Sequence, residues 1–300
     1  MKKSLALLSA AALTLGALSG CGGTQSGTAD DPGAADKGVV NVYNWGVYID
    51  ESVLEDFTAE TGIKVVYDTF ESNEAMYGVL KNEGASYDVV IPSDYMISRM
   101  IEEDMLEPLN FDNIPNFEDV DPALKNPDYD PENLYSVPYM WGLLGVIYNT
   151  TMVEETPSSW DIMFDEDYAG QILMFNNSRD AIGIALKQLG YSYNTTDENQ
   201  IKEAVDLLIQ QKPLVQSYVM DDIFEKMQSG SAAIGAYYYG DFLTMQEVNP
   251  DLAFCLPEEG TNLYVDAMCI PKNAENKENA EIFINYMCST QAGLKNCEEI

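Results

Sequence analysis

Three apolar runs, each followed by an amphipathic stretch, occupy residues 39–105. This alternation constrains the chain more than any other feature. Val39-Val40-Asn41-Val42-Tyr43 suits a strand. Asp50 is placed to cap a helix over Glu51 to Thr61, with Val53, Leu54 and Phe57 on one face and Gly62 as its stop. Ile63 to Phe70 predicts a second strand. Ser72 is a cap for a second helix, with Met76, Val79 and Leu80 inward. Tyr87 to Ser93 predicts a short buried strand, and Asp94 opens a third helix toward Met105. Strand, helix, strand, helix, strand, helix is the signature of a parallel sheet covered by helices. Right-handed crossovers bring the three strand ends to one edge, where ligands bind in open α/β sheets. Trp45, Tyr48, Ser93 and Tyr95 are expected on that edge. Trp45 alone could equally be core, and Asp94 reads as an exposed cap rather than a contact.

The rest of the chain continues in the same style. Leu106 to Leu134 reads as irregular surface, and Ser136 to Tyr148 as a strand interrupted by Gly142 and Gly145, a candidate crossover into a second lobe. Further strands are expected at Gln171–Phe175, Val215–Val219, Ala232–Tyr237, Leu252–Leu256 and Tyr264–Ile270. Helices are expected at Ser158–Phe164, Arg179–Leu189, Thr195–Gln211, Asp221–Gln228 and Asn279–Cys288. In the 195–211 helix, Thr195 and Glu198 have capping-box spacing, and Ile201, Val205, Leu208 and Ile209 share a face.

Charge narrows the function. The chain has 15 basic and 50 acidic residues, a net of −35, and no histidine. Nucleic acid is excluded as a partner, because phosphate binding needs a basic footprint. Such a field suits a cationic ligand, though solubility alone would also account for it. Without histidine there is no Ser-His-Asp or Cys-His catalytic group, and neither G-x-x-x-x-G-K nor G-x-G-x-x-G occurs. Cys255, Cys269, Cys288 and Cys297 form no C-x-x-C pair, so no metal site or cofactor is expected. Cys255 and Cys269 could pair across neighbouring strands, but buried free thiols are the expectation.

Three places set an acid beside rings or amides at a strand end: Tyr237-Tyr238-Tyr239-Gly240-Asp241, Tyr264-Val265-Asp266, and Asn176-Asn177-Ser178-Arg179-Asp180. Ring faces attract ammonium ions and carboxylates add charge-assisted hydrogen bonds. Each place also has a plainer reading. Asp180 could merely favour its helix N-terminus, and one of the tyrosines 237–239 should be core.

At the N-terminus, Lys2 and Lys3 precede an apolar run, Leu5 to Leu18, which reads as an export signal. Leu18-Ser19-Gly20-Cys21 resembles a bacterial lipobox. That implies a signal peptide over 1–20, a lipid on Cys21 and a flexible tether over 21–37.

In order and spacing, the chain from Val39 onward resembles the bacterial extracellular polyamine (spermidine/putrescine)-binding proteins of ABC importers. The likeness is carried by Tyr43-Asn44-Trp45, Glu60-Thr61-Gly62-Ile63-Lys64-Val65, Tyr67 to Met76, Tyr87 to Ser93, Val137-Pro138-Tyr139-Met140-Trp141-Gly142, Leu189-Gly190-Tyr191 and Asn194-Thr195-Thr196-Asp197. It implies a two-lobed, periplasmic-binding-protein-like (type II) α/β fold. Each lobe would be a mostly parallel sheet flanked by helices, with the ligand cleft at the hinge. Lobe 1 would comprise 38–143 plus 268–300, and lobe 2 144–267. Trp45, Tyr48, Ser93 and Tyr95 match cleft positions of the first lobe. Asn177, Asp180, Tyr238, Asp241, Tyr264 and Asp266 match cleft positions of the second lobe and the crossover, with Asp266 where a carboxylate holds a ligand amine.

Three departures bear on the ligand. Asn177 stands where spermidine-preferring members have an acid, Tyr238 and Tyr264 where many have tryptophan, and Gly46 and Val47 where the first loop is more polar. The family also continues beyond the equivalent of Ile300, so the C-terminal part of its fold is expected to be missing. The resemblance implies a monomeric, non-catalytic lipoprotein outside the cell membrane. It would capture putrescine and/or spermidine and deliver it to an ABC permease. The alternatives are the same fold with a sugar or metal ion as solute, or a secreted glycosidase using two carboxylates.

Overall fold

A computed structural model describes residues 37–82 and 86–299. The predicted signal peptide, Cys21 and the tether through Asp36 lie outside the described residues. The first strand, β1 (Val39–Trp45), leads to α1 (Glu51–Thr61), where the Asp50 carboxylate accepts from the Ser52 amide at 2.8 Å. Gly62 ends α1 at φ 77°, a left-handed turn that a side chain would strain. Val53 and Phe57 are the buried face of α1. β2 (Lys64–Phe70) follows, then α2 (Asn73–Leu80), capped by Ser72, the two-residue strand β3 (Val89–Val90) and α3 (Asp94–Glu102). β1 pairs in parallel with both β2 and β3, as the strand–helix alternation requires.

The stretch read as irregular carries three short 3-10 turns, Phe111–Asn113, Pro115–Asp119 and Pro122–Leu124. Buried Asp130 ties its end to the next strand, accepting from the amides of Leu134, Tyr135 and Ser136 and from the Ser136 hydroxyl. That strand, β4 (Ser136–Asn149), runs through both lobes. Neither Gly142 nor Gly145 interrupts it; the irregularity falls between Pro138 and Met140. The glycines are there for space. A Cβ on Gly142 would lie 2.5 Å from the Tyr264 hydroxyl, and one on Gly145 2.2 Å from the Phe254 ring.

The second lobe contains β5 (Ile172–Phe175), α4 (Ser178–Gln188), α5 (Glu198–Gln211), β6 (Val215–Val219), α6 (Ile223–Gln228), β7 (Ile234–Tyr238), α7 (Tyr239–Val248) and β8 (Leu252–Cys255). The chain returns through β9 (Leu263–Cys269) and ends on α8 (Lys277–Met287) and α9 (Thr290–Glu299). The sheet order is β2-β1-β3-β9-β4-β7-β5-β6, with β8 also on β4. Each lobe therefore has a parallel trio, and the antiparallel pair β4 and β9 makes the two passages between them. One core cluster draws on residues between Leu144 and Cys255. Two others, drawing on residues between Val40 and Ala292, serve the first lobe.

Three local expectations are corrected. The capping box at Thr195 and Glu198 does not form. Asp197 caps α5, accepting from the Asn199 amide, while the Thr195 hydroxyl bonds to Gln200. Ala204 and Gln211 are the buried positions of α5, while Val205 and Ile209 are exposed. Two helices had no visible stripe: α7 begins on Tyr239-Gly240, and α9 buries Ala292 and Asn296 beneath a polar surface. Cys255 and Cys269 are buried free thiols.

Candidate functional site

The strand ends of both lobes face one cleft of about 950 Å³, counting the solvent at its mouth. The first lobe supplies the loop after β1. The Trp45 ring packs on Phe70 and donates its indole N–H to the Ile91 carbonyl at 2.9 Å, so the residue serves both core and cleft. Tyr48 is fixed at its backbone by the Tyr139 hydroxyl and donates its own hydroxyl to Asp266 Oδ2 at 2.7 Å. Ser93 precedes α3 and is locked by Asn73, whose amide nitrogen donates to Ser93 Oγ and whose oxygen accepts from the Ser93 amide. Tyr95 donates to Glu74.

Asp94 is not the exposed cap expected of it. It lies in the cleft wall, with Oδ1 accepting from the Tyr95 amide and Oδ2 from the Val265 amide at 3.4 Å. Burial raises its pKa, opposed by those amides and by Arg179. Val265 belongs to β9, the strand beside β3 in the sheet, a long-range neighbour that no local pattern reveals.

In the second lobe Asn177 caps α4, accepting from the Arg179 and Asp180 amides. Its own amide nitrogen donates to Asp180 Oδ2 at 2.8 Å. Asp180 is therefore more than a favourable helix-start charge. It is 4 % exposed and accepts from the hydroxyls of Tyr193 at 2.7 Å and Tyr238 at 2.9 Å. Burial pushes its pKa up, and these hydroxyls and Arg179 pull it back. Of the three consecutive tyrosines, Tyr237 is buried, Tyr238 lines the cleft and Tyr239 starts α7 with its ring exposed. The Tyr238 and Tyr264 rings meet edge to face at 5.1 Å.

Two carboxyls stand out. Asp266 is 4 % exposed and its Oδ1 has no hydrogen-bond partner among the described residues. Burial pushes its pKa up to about 7, with Asp94 and Asp180 adding to the rise and the Ser93 and Tyr48 hydroxyls opposing it. Asp241, in the first turn of α7, is likewise pushed up to about 7, by burial and then by Asp221. Burial and then the charges of Asp266, Asp241 and Asp180 push the Tyr264 pKa up.

Every candidate cleft residue from the sequence lines this one cavity: Trp45, Tyr48, Ser93 and Tyr95 of the first lobe, Asp266 beside Ser93 and Tyr48, and Asn177, Asp180, Tyr238, Asp241 and Tyr264. The cavity also takes in Asp94, Asp221, Glu71, Arg179 and Asn262, which sequence reasoning did not nominate. Asp221 directly follows the end of β6, so the strand-edge rule applied to that strand would have found it. Among the described residues, no three His, Cys, Asp or Glu side chains are grouped to share a metal ion. What the site offers is rings, carboxyls with unmet acceptor capacity, and a single guanidinium. That chemistry holds a flexible organic cation.

Comparison with known proteins agrees with this geometry. A family profile described as bacterial extracellular solute-binding protein matches residues 52–299. The chain is 35 % identical over 269 residues to the spermidine/putrescine-binding periplasmic protein of Salmonella typhimurium, covering 89 % of this chain and 77 % of that one. It superposes on the spermidine/putrescine ABC transporter substrate-binding protein PotD of Streptococcus pneumoniae with a TM-score of 0.73 and 42 % identity, covering 88 % of this chain and 81 % of that one. It also superposes on the Tp0655 (TpPotD) lipoprotein of Treponema pallidum with a TM-score of 0.77 and 30 % identity, covering 84 % and 80 %.

Proposed function

The chain belongs to the bacterial extracellular solute-binding proteins, and on that premise we propose that it captures a polyamine, putrescine or spermidine, and delivers it to the permease of an ABC transporter. The observation that carries this is Asp266. A buried carboxyl with one oxygen lacking any donor is costly unless a ligand supplies one. An ammonium does so and also brings the opposite charge. Tyr48 holds the other oxygen, while Tyr264 and Tyr238 present rings to the methylenes. Trp45, Ser93 and Tyr95 form the facing wall, and Asp241 receives the second amine. A neutral sugar would leave Asp241 and Asp266 without a counter-charge.

Capture follows from the two lobes. Only a closed cleft touches the ligand from both sides, so ligand selects the closed form, which the permease then reads. Nothing in that role calls for a catalytic step or an oligomer. We divide the lobes at 38–143 plus 268–300 and 144–267, a division supported by the core cluster that runs from Leu144 to Cys255, although Ala267 packs with the first-lobe residues. We also infer a lipid anchor on Cys21, supported by the Leu18-Ser19-Gly20-Cys21 motif. No helix among the described residues is long and apolar enough to cross a membrane.

Calorimetry of the full chain with putrescine, spermidine, spermine and a neutral sugar tests the assignment. Polyamine binding with no sugar response is expected. Asp266→Asn should cost about 2–5 kcal/mol, because the enclosed ammonium loses its partner charge. A wild-type protein that binds no polyamine refutes the reading.

A further inference from the structure

The carboxyls of the cleft are not equivalent, and the difference counts the amines a ligand can bring. Asp180 has no acceptor to spare. Oδ1 takes the Tyr193 hydroxyl at 2.7 Å and the Asn262 amide at 3.5 Å, and Oδ2 takes the Asn177 amide at 2.8 Å and the Tyr238 hydroxyl at 2.9 Å. A carboxylate offers about four lone-pair sites, and four donors already occupy them. Part of the cost of burying its charge is offset too. The Arg179 guanidinium acts on both Asp180 and Asp94, and lies 5.1 Å from the Tyr95 ring centre and 5.4 Å from that of Tyr193. Both oxygens of Asp94 accept backbone amides. A further ammonium arriving at this end would find Asp180 filled, both Asp94 oxygens already accepting an amide, and a like charge beside it.

At the other stations the acceptors are open. Asp266 Oδ1 is buried and unpartnered, and Asp241 has no donor among the described residues. Asp221 and Glu71 complete the set of cleft acids; both are exposed at the mouth, although partial burial raises the Asp221 pKa, so they discriminate less than the enclosed acids. Tyr264 lines the cleft with the two open stations, its ring meeting that of Tyr238 edge to face. Its place is kept by the missing side chain at Gly142.

We infer that the cleft selects a diamine over a triamine, with Tyr238 and Asn177 as the specificity-determining residues that close Asp180 to a third ammonium. This rests on the polyamine reading above and adds the ligand's charge count. Asp180 becomes a positioning residue that holds Tyr238, Tyr193 and the start of α4. The hydroxyl of Tyr238 is the decisive group, since a ring without one would stack equally well and leave Oδ2 open.

The test is calorimetry of the full chain with putrescine and with spermidine at pH 8. Wild type should bind putrescine at least about tenfold more tightly. Tyr238→Phe removes one donor to Asp180. Asn177→Ser removes another while keeping a residue that caps α4. In each, the ratio of spermidine to putrescine dissociation constants should fall about tenfold or more, as Oδ2 opens to a third amine. Wild type binding spermidine as tightly as putrescine overturns the inference, and so does a ratio unmoved in both variants. If wild type binds neither polyamine, the functional reading itself fails, an outcome distinct from either of those. Should one variant not fold, the wild-type ratio and the other variant still decide.

Discussion

Binding should be coupled to the release of protons, and the size of the coupling can be worked from two residues. Asp266 and Asp241 both titrate at about 7 in the empty cleft. Asp94, Asp180, Tyr48 and Ser93 act on the first, and Asp221 on the second. A bound ammonium favours the ionised form of each and drives its proton off. Below pH 7 the ligand must displace both protons; above it there are none to displace. A group with a pKa of 7 that must be ionised for binding weakens affinity about tenfold between pH 8 and pH 6. Two such groups weaken it about a hundredfold, on the order of 2.7 kcal/mol.

The assay is calorimetry with putrescine at pH 6, 7 and 8, each in two buffers of different ionisation enthalpy. At pH 7 about half a proton per carboxyl, roughly one in all, should appear in the buffer. Asp266→Asn should halve both the proton release and the slope of affinity on pH. Affinity that is flat from pH 6 to 8, with no proton uptake by the buffer, would refute the claim that these two carboxyls meet the amines.

The same two groups contribute to the pH dependence of stability of the unliganded protein. Their folded-state pKa lies above the unfolded value, so the folded form holds extra protons between about pH 4 and 7. Stability of the unliganded protein should therefore fall as pH rises through that window and level off above it, read as a falling Tm by calorimetry. Saturating putrescine should remove most of the fall. Gly142→Ala places a Cβ 2.5 Å from the Tyr264 hydroxyl, so it should weaken putrescine binding about tenfold or more while Tm drops by only a few degrees. Gly46→Ala brings a Cβ within 2.5 Å of Asp221 Oδ2, on the opposite lobe. It should slow closure, seen as a lower association rate in stopped-flow fluorescence. Cys21→Ala should move the protein from the membrane fraction to the soluble one, because stable anchoring needs the acyl chains; unchanged fractionation would count against the anchor.

Much of this protein is legible in its amino-acid order. Period-2 runs, helix caps and glycine stops are local events, so β1, α1 with Asp50 and Gly62, and the Ser72 cap follow from neighbours in sequence. The parallel pairing follows from the alternation of those elements. The family resemblance assembles the cleft residues, and each one lines the cavity. Where local reasoning meets competing groups it fails. Thr195 has the spacing of a cap, but Asp197 is nearer the helix start and takes the role. The exposed surface of α9 hides any stripe, since only two of its residues pack inward.

What sequence could not decide is which acids remain available to a ligand. Asp94, Asp180, Asp241 and Asp266 are the same kind of residue at similar strand-end positions. Their difference is made by groups far away in the chain. Val265 donates to Asp94, Tyr238 and Asn262 donate to Asp180, and Tyr48 holds one oxygen of Asp266. Composition and order determined an acidic chain with a parallel strand–helix alternation, because burial periodicity and net charge are properties of the chain itself, while the two-lobed receptor with its cleft was what the family resemblance implied. The tertiary structure alone decided which carboxyl oxygens are spent and which are open, because hydrogen-bond satisfaction depends on distances between residues that sequence does not contain.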